Sequence, residues 1–74
     1  MSDASDWSDE DILACMVLSA RKEQSIGYEG WCKPPPEVAG HLARLAKRAL
    51  IKRKTVWVMP TEAGFAMIER EGGA

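Results

Sequence analysis

The chain has little of what enzymes and metal sites are built from. Among its 74 residues there is one histidine and there are two cysteines, Cys15 and Cys32, which lack the paired spacing of a zinc site. No nucleophile stands at a recognisable spacing from a base, and no glycine-rich phosphate loop precedes a helix. We therefore expect no catalysis, no cofactor, no bound metal and no small-molecule substrate.

Long apolar runs and internal repeats are also missing. No segment approaches the roughly 20 apolar residues of a membrane span, and the acidic N-terminus is the opposite of a signal peptide. The low cysteine content suits a reducing compartment, so a cytoplasmic location without a membrane partner is expected. The length predicts one domain over residues 7–70, with a disordered acidic segment at 1–6 and a disordered tail at 71–74.

The net charge of −1 hides a strong asymmetry. Seven of the ten basic residues lie between Lys33 and Lys54, where Glu37 is the one acid. Residues 1–11 carry five acids and no base. The middle of the chain should attract a polyanion or an acidic protein face, whereas the near-neutral total argues against unselective coating of nucleic acid.

Three helices are expected. Ser8 should cap the first, with the acids of its first turn offsetting the helix dipole, and this helix should fade over residues 21–24 with Cys15 buried in its apolar pattern. A second helix should run over residues 36–50 and bury Val38, Leu42, Leu45 and Ala49. Thr61 should cap the third.

Between the last two helices the hydrophobic period changes to that of a strand. The polar residues 52–55 suit the tip of a hairpin, and Val56 and Val58 should face the core while Trp57 faces outward. A Trp57 ring that lies over its own hairpin, or in the core, is the alternative. The fold class is therefore α+β, three helices plus a two-stranded hairpin. The expected core is Ile12, Met16, Val38, Leu42, Leu45, Val56, Val58 and Ile68.

Two aromatic residues and the histidine have competing interpretations. Tyr28 and Trp31 lie in a Gly/Pro loop, where we expect them to fold back on the core, although a binding tip is the alternative. His41 shares a polar helix face with Arg44 and Arg48, and we expect an exposed contact residue rather than a metal ligand or a base.

Residues 42–64, LARLAKRALIKRKTVWVMPTEAG, resemble the recognition-helix end, basic wing and next helix start of winged helix-turn-helix domains. The pattern is similar to MarR-type regulators and to small archaeal and phage winged-helix proteins, and WSDEDIL at residues 7–13 resembles the opening of their first helix. The helix-turn-helix is abbreviated, because the Gly/Pro loop 25–36 stands where a separate short helix is normal. The half that reads bases in such domains offers no Arg, Asn or Gln here.

Two functions remain after this comparison. The first is a small regulator that binds double-stranded DNA, with helix cations on phosphates and the wing along the backbone. The alternative is a protein-binding inhibitor or adaptor, for example a phage protein that blocks a host nucleic-acid-binding or defence complex, with Trp31 and Trp57 as anchors on an acidic surface. Either would act as a monomer or homodimer. Both use the same candidate residues: Lys33, His41, Arg44, Lys47, Arg48, Lys52, Arg53, Lys54 and Trp57.

Overall fold

The computed structural model describes residues 7–72, so the expectations for residues 1–6 and 73–74 lie outside the described part. Three helices and a two-stranded antiparallel sheet confirm the α+β class and are consistent with a small winged-helix-like layout. The elements are α1 (Asp9–Gln24), a 3₁₀ turn (Pro36–Val38), α2 (Ala39–Lys47), β1 (Ile51–Lys54), β2 (Trp57–Pro60) and α3 (Glu62–Gly72).

The first helix begins with a reciprocal cap. The backbone N–H of Asp11 donates to the Ser8 hydroxyl at 3.1 Å, and the Ser8 backbone N–H donates to the Asp11 carboxylate at 3.2 Å. Its buried face holds Ile12, Leu13, Met16, Val17 and Ala20. The expectation of a buried Cys15 was wrong, because this residue lies at the border of that stripe and is exposed.

The second helix is shorter than expected because it ends in a left-handed corner. Ala49 has a φ of 61°, and the N–H of Leu50 reaches back to the carbonyl of Leu45 at 3.0 Å. The N–H of Ala49 donates to the carbonyl of Ala46 at 3.0 Å, which completes a Schellman motif with Leu45 and Leu50 buried beneath it. Ala49 itself is therefore exposed, not part of the buried stripe.

The hairpin tip is Thr55–Val56, not residues 52–55. Lys54 pairs with Trp57 at the end of the ladder, and Thr55 takes a φ of 56° to make the tight connection. Val56 is consequently 58% exposed, which contradicts its expected place in the core. Val58 is buried and Trp57 is 44% exposed, so the outward orientation of the tryptophan is confirmed.

The third helix is anchored on the corner that ends α2. Thr61 caps it, accepting from the N–H of Gly64 at 3.2 Å while its own hydroxyl donates to the carbonyl of Ala49 at 2.7 Å. A Cβ at Gly64 would come within 2.2 Å of the Leu50 carbonyl oxygen, so only glycine allows this approach. The Thr-x-x-Gly pattern is thus a packing requirement of the corner.

The core lies between the helices and the inner face of the hairpin. Of the expected core residues, all but Val56 and Ile68 are buried, and Ile68 is partly buried against the same cluster. The full buried set is Ile12, Leu13, Met16, Val17, Ala20, Val38, Leu42, Leu45, Leu50, Ile51, Val58, Met59 and Phe65.

Candidate functional site

Arg44 on α2 and Arg48 at its C-cap already have partners in the first turn of α1. The Arg44 guanidinium donates from Nε to Asp9 Oδ2 at 2.9 Å and from Nη2 to Asp9 Oδ1 at 3.0 Å. Arg48 Nη1 lies 3.4 Å from Glu10 Oε2, a longer and weaker contact. The acids that the sequence explained as dipole compensation therefore also neutralise the helix face that was expected to meet a partner.

His41 belongs to this cluster and is not the exposed contact residue that we expected. It is 8% exposed, and its Nδ1 lies 2.7 Å from Asp9 Oδ1. Because an ionised carboxylate can only accept, the short distance places the proton on Nδ1, which donates to Asp9. The buried imidazole thus links α2 to α1 beside the Arg44–Asp9 ion pair.

The titration of the cluster follows from these bonds. Hydrogen bonds from Arg44 first, and from His41 second, hold the pKa of Asp9 at about 2, below its ordinary 3.8. The same bond to Asp9 raises the pKa of the Arg44 guanidinium. Asp9 therefore stays ionised through the physiological range, where it can pair with Arg44.

The solvent-exposed side of α2 has few side chains that can form hydrogen bonds. Ala39, Gly40, Ala43 and Lys47 are exposed on it, and of these only Lys47 has a side chain that can donate a hydrogen bond. Base recognition in a groove requires side chains that reach donors and acceptors on base edges. This face offers Lys47 for contact with a phosphate or a guanine edge and no other side chain that could distinguish one base from another.

The hairpin keeps its charge available. Lys52, Arg53 and Lys54 are exposed, and among the side chains described for residues 7–70 none of them has a carboxylate at ion-pair distance. The ammonium groups of Lys52 and Lys54 lie 5.7 and 5.9 Å from the ring centroid of Trp31. This tryptophan is partly buried, as expected for a ring folded back on the core, whereas Tyr28 is 65% exposed and does not fold back.

Two open grooves flank the triproline segment Pro34–Pro36. The larger, of about 290 Å³, lies between this segment and α1, and its apolar wall includes Trp7 and Met16. Cys15, Cys32 and Lys33 also line it. The smaller, of about 240 Å³, lies between the prolines, the start of α2 and the hairpin.

Nothing in the described range forms a metal-binding cluster of three or more His, Cys, Asp or Glu residues. Burial raises the pKa of the Cys32 thiol, with a smaller effect from the charge of Glu23, so the thiolate is disfavoured. Over the same residues, no helix has both the length and the apolar character needed to cross a membrane.

The structure divides the nine candidate residues into separate groups. Arg44, His41 and Arg48 are drawn to α1, Lys33 borders the larger groove, and Lys47 is exposed on α2. The hairpin brings together Lys52, Arg53, Lys54 and Trp57. Sequence reasoning missed Val56 as an exposed residue, and the sequence carried no turn signal that could have found it, since neither Thr55 nor Val56 favours a tight turn.

Comparison with known proteins adds no family: no protein-family model matches the sequence, and neither the curated proteins nor the solved structures give a significant match. The function must therefore be argued from the surfaces described above.

Proposed function

We propose that this chain is a non-enzymatic protein-binding module, of the inhibitor or adaptor type, that docks through its hairpin on an acidic surface of a partner. One observation carries the proposal. At the hairpin tip Val56 is 58% exposed and Trp57 is 44% exposed, directly beside three cations without carboxylate partners in the described residues.

The tryptophan and the arginine of this combination are typical of residues that dominate a protein interface. Tryptophan and arginine are enriched among the residues that dominate binding energy, and the apolar side chains gain when a partner removes them from water. A partner with carboxylates around an apolar patch would complement the tip. Arg44 and Arg48 contribute little to such an attraction, since Asp9 and Glu10 already pair with them, whereas Lys47 remains exposed.

A second candidate is double-stranded DNA. The exposure of Lys47 and of the β1 cations favours it, because phosphate contacts require only accessible positive charge. Because Lys47 is the main donor for base edges on the exposed side of α2, such binding would depend little on DNA sequence. In either case we propose a cytoplasmic setting, which the two free thiols support.

The test is capture from nuclease-treated host lysate with the wild type, Trp57→Ala and a matched control, Tyr28→Ala. Tyr28 is also an exposed aromatic residue, but it lies in the loop after α1, where its N–H donates to the carbonyl of Glu23. We expect one protein to be recovered stoichiometrically, and Trp57→Ala to weaken its binding by about 2 kcal/mol, roughly 30-fold, with an unchanged melting temperature. Tyr28→Ala should bind like the wild type.

Fluorescence anisotropy of a labelled DNA duplex at low salt tests the second candidate, DNA binding. Duplex binding that falls with salt at a log–log slope of about −0.9 per phosphate, and that survives Trp57→Ala, would favour DNA. The protein-docking proposal fails if nuclease treatment abolishes all capture, or if Trp57→Ala and Tyr28→Ala bind the partner equally well.

A further inference from the structure

The hydrogen bonding of β2 reveals the direction of the backbone groups in β1. Cys32 and Val58 exchange both of their backbone hydrogen bonds at 2.8 Å, so the N–H and C=O of Val58 point away from β1. Arg53 is the cross-strand partner of Val58. In an antiparallel pair such a position is not hydrogen-bonded, and the backbone groups of Arg53 therefore point outward from the sheet.

The alternation extends along the strand. Lys52 and Lys54, opposite Met59 and Trp57, are the positions that bond to β2. On the other side of β1, no backbone hydrogen bond joins Arg53 to any residue of the described chain. The sheet thus has an open edge whose free donor and acceptor are centred on Arg53.

The charges beside this edge select what can pair with it. Lysines on an edge strand normally discourage pairing, and two copies of β1 side by side would oppose cations with cations. A strand that carries acids reverses the sign of this interaction. Since the side chains of Lys52 and Lys54 share one face of the sheet, acids at alternate positions of an added strand would lie on that face.

The opposite face is apolar apart from Arg53 and Thr55. Arg53 and Val58 share it, and both line the smaller groove together with Val56 and Leu42. Side chains that alternate with the acids would point to this side, where the walls are the triproline segment, Ala39 and the valines. A strand with acids on one face and apolar residues on the other matches both sides of the edge.

We infer that the open edge of β1 accepts an extended segment of another protein as an additional strand, with acidic residues facing Lys52 and Lys54 and apolar residues facing the groove. The inference rests on the proposed protein-docking function and names the kind of segment that is bound. The contacts of the two lysines with Trp31, at nearly 6 Å from the ring centroid, are at the limit of cation–π attraction, so the ammonium groups can turn to carboxylates.

Two substitutions of Arg53 distinguish the contribution of backbone hydrogen bonding to peptide binding from the contribution of side-chain charge. Arg53→Ala removes the guanidinium and keeps the outward N–H, whereas Arg53→Pro also removes that N–H at a position where an edge strand tolerates proline. The probe is a blocked peptide of alternating glutamate and valine, titrated by amide NMR, with a lysine–valine peptide as the control. We expect Arg53→Ala to weaken binding a few-fold and Arg53→Pro to weaken it at least about tenfold further.

Amide hydrogen exchange in the wild type gives a reading that does not depend on either variant folding. The Arg53 N–H should exchange quickly in the free protein and become protected with the acidic peptide, while the N–H of Lys52, already bonded to β2, should be protected throughout. Absence of new protection at Arg53 under saturating peptide would overturn the inference, as would equal binding by Arg53→Ala and Arg53→Pro.

The outcomes distinguish strand addition at β1 from the proposed docking of a protein partner on the hairpin. If the partner captured from lysate loses affinity with Trp57→Ala but binds Arg53→Pro as well as Arg53→Ala, docking at the hairpin stands and strand addition fails. If an oligothymidine displaces the peptide and protects the same amide, the edge recognises polyanions in general and the inference fails.

Discussion

Two stretches of the chain are equally basic in sequence but different in the folded molecule. On α2, Arg44 and Arg48 face carboxylates of α1, and the Arg44–Asp9 pair is bidentate. On β1, three consecutive cations have no carboxylate partner in the described range. The charge that a partner can use is therefore the charge left after the fold has paired its own residues, and most of it lies on the hairpin, with Lys47 left on α2.

The same contrast holds for packing, and it predicts the largest effect. Leu45 on α2 is fully buried, whereas Val56 at the hairpin tip is 58% exposed. Leu45→Ala should lower the free energy of unfolding by about 2–5 kcal/mol, enough to unfold much of so small a domain. Val56→Ala should change it by less than about 0.5 kcal/mol.

Urea titrations of both variants beside the wild type measure this difference. A Leu45→Ala protein whose unfolding midpoint matches that of Val56→Ala would show that Leu45 packs no more tightly in the core than the exposed Val56. Should Leu45→Ala not fold at all, Leu45→Met keeps the volume and should cost less than about 1.5 kcal/mol.

Much of this contrast follows from the sequence, and the exceptions have identifiable physical causes. Periodicity placed Leu42 and Leu45 correctly, and capping chemistry placed Ser8 and Thr61. The end of α2 was missed because glycine is the usual sequence signal of a Schellman motif. Here the left-handed residue is Ala49 instead.

The hairpin tip was missed for a related reason. Thr55 and Val56 are not residues that favour a tight turn, so the polar run before them was the stronger signal. The pairing of Asp9 with Arg44 was missed because 35 residues separate them and the helix dipole already explained the acid. Local patterns reveal elements, whereas contacts between elements depend on how the elements pack.

The stability that the Asp9–Arg44 ion pair contributes should depend on pH in the acid range. The folded pKa of Asp9 is about 2, below the unfolded value near 3.8, so its ionised form stabilises the fold. That stabilisation is complete above the unfolded pKa and is lost as the pH falls from about 4 through about 2. Wild type should therefore exceed Asp9→Asn in unfolding free energy at pH 5, and the difference should shrink towards pH 2.

Urea titrations at several pH values provide the measurement, and the difference between the two proteins isolates Asp9. The pKa of Glu69 is also lowered, by its bond to Arg21, but this carboxylate is present in both proteins and cancels. Glu10→Gln is the control from the same helix turn, where the contact to Arg48 is longer. A difference between wild type and Asp9→Asn that stays constant from pH 5 to pH 2 would contradict the pairing.

The smallest effect compares two left-handed corners, one at the end of each basic stretch. Ala49 has a φ of 61° and Thr55 a φ of 56°, and a side chain at such angles costs energy that glycine avoids. Ala49→Gly removes only a methyl group from an exposed position, so it should stabilise the protein by about 0.5–1 kcal/mol. Thr55→Gly should gain less, because it also loses the hydroxyl that donates to the Lys54 carbonyl at 2.6 Å. Thermal melts of the two variants rank them directly. A lower melting temperature for Ala49→Gly would mean that the corner between α2 and β1 is not strained, and that glycine there only adds freedom to the unfolded chain.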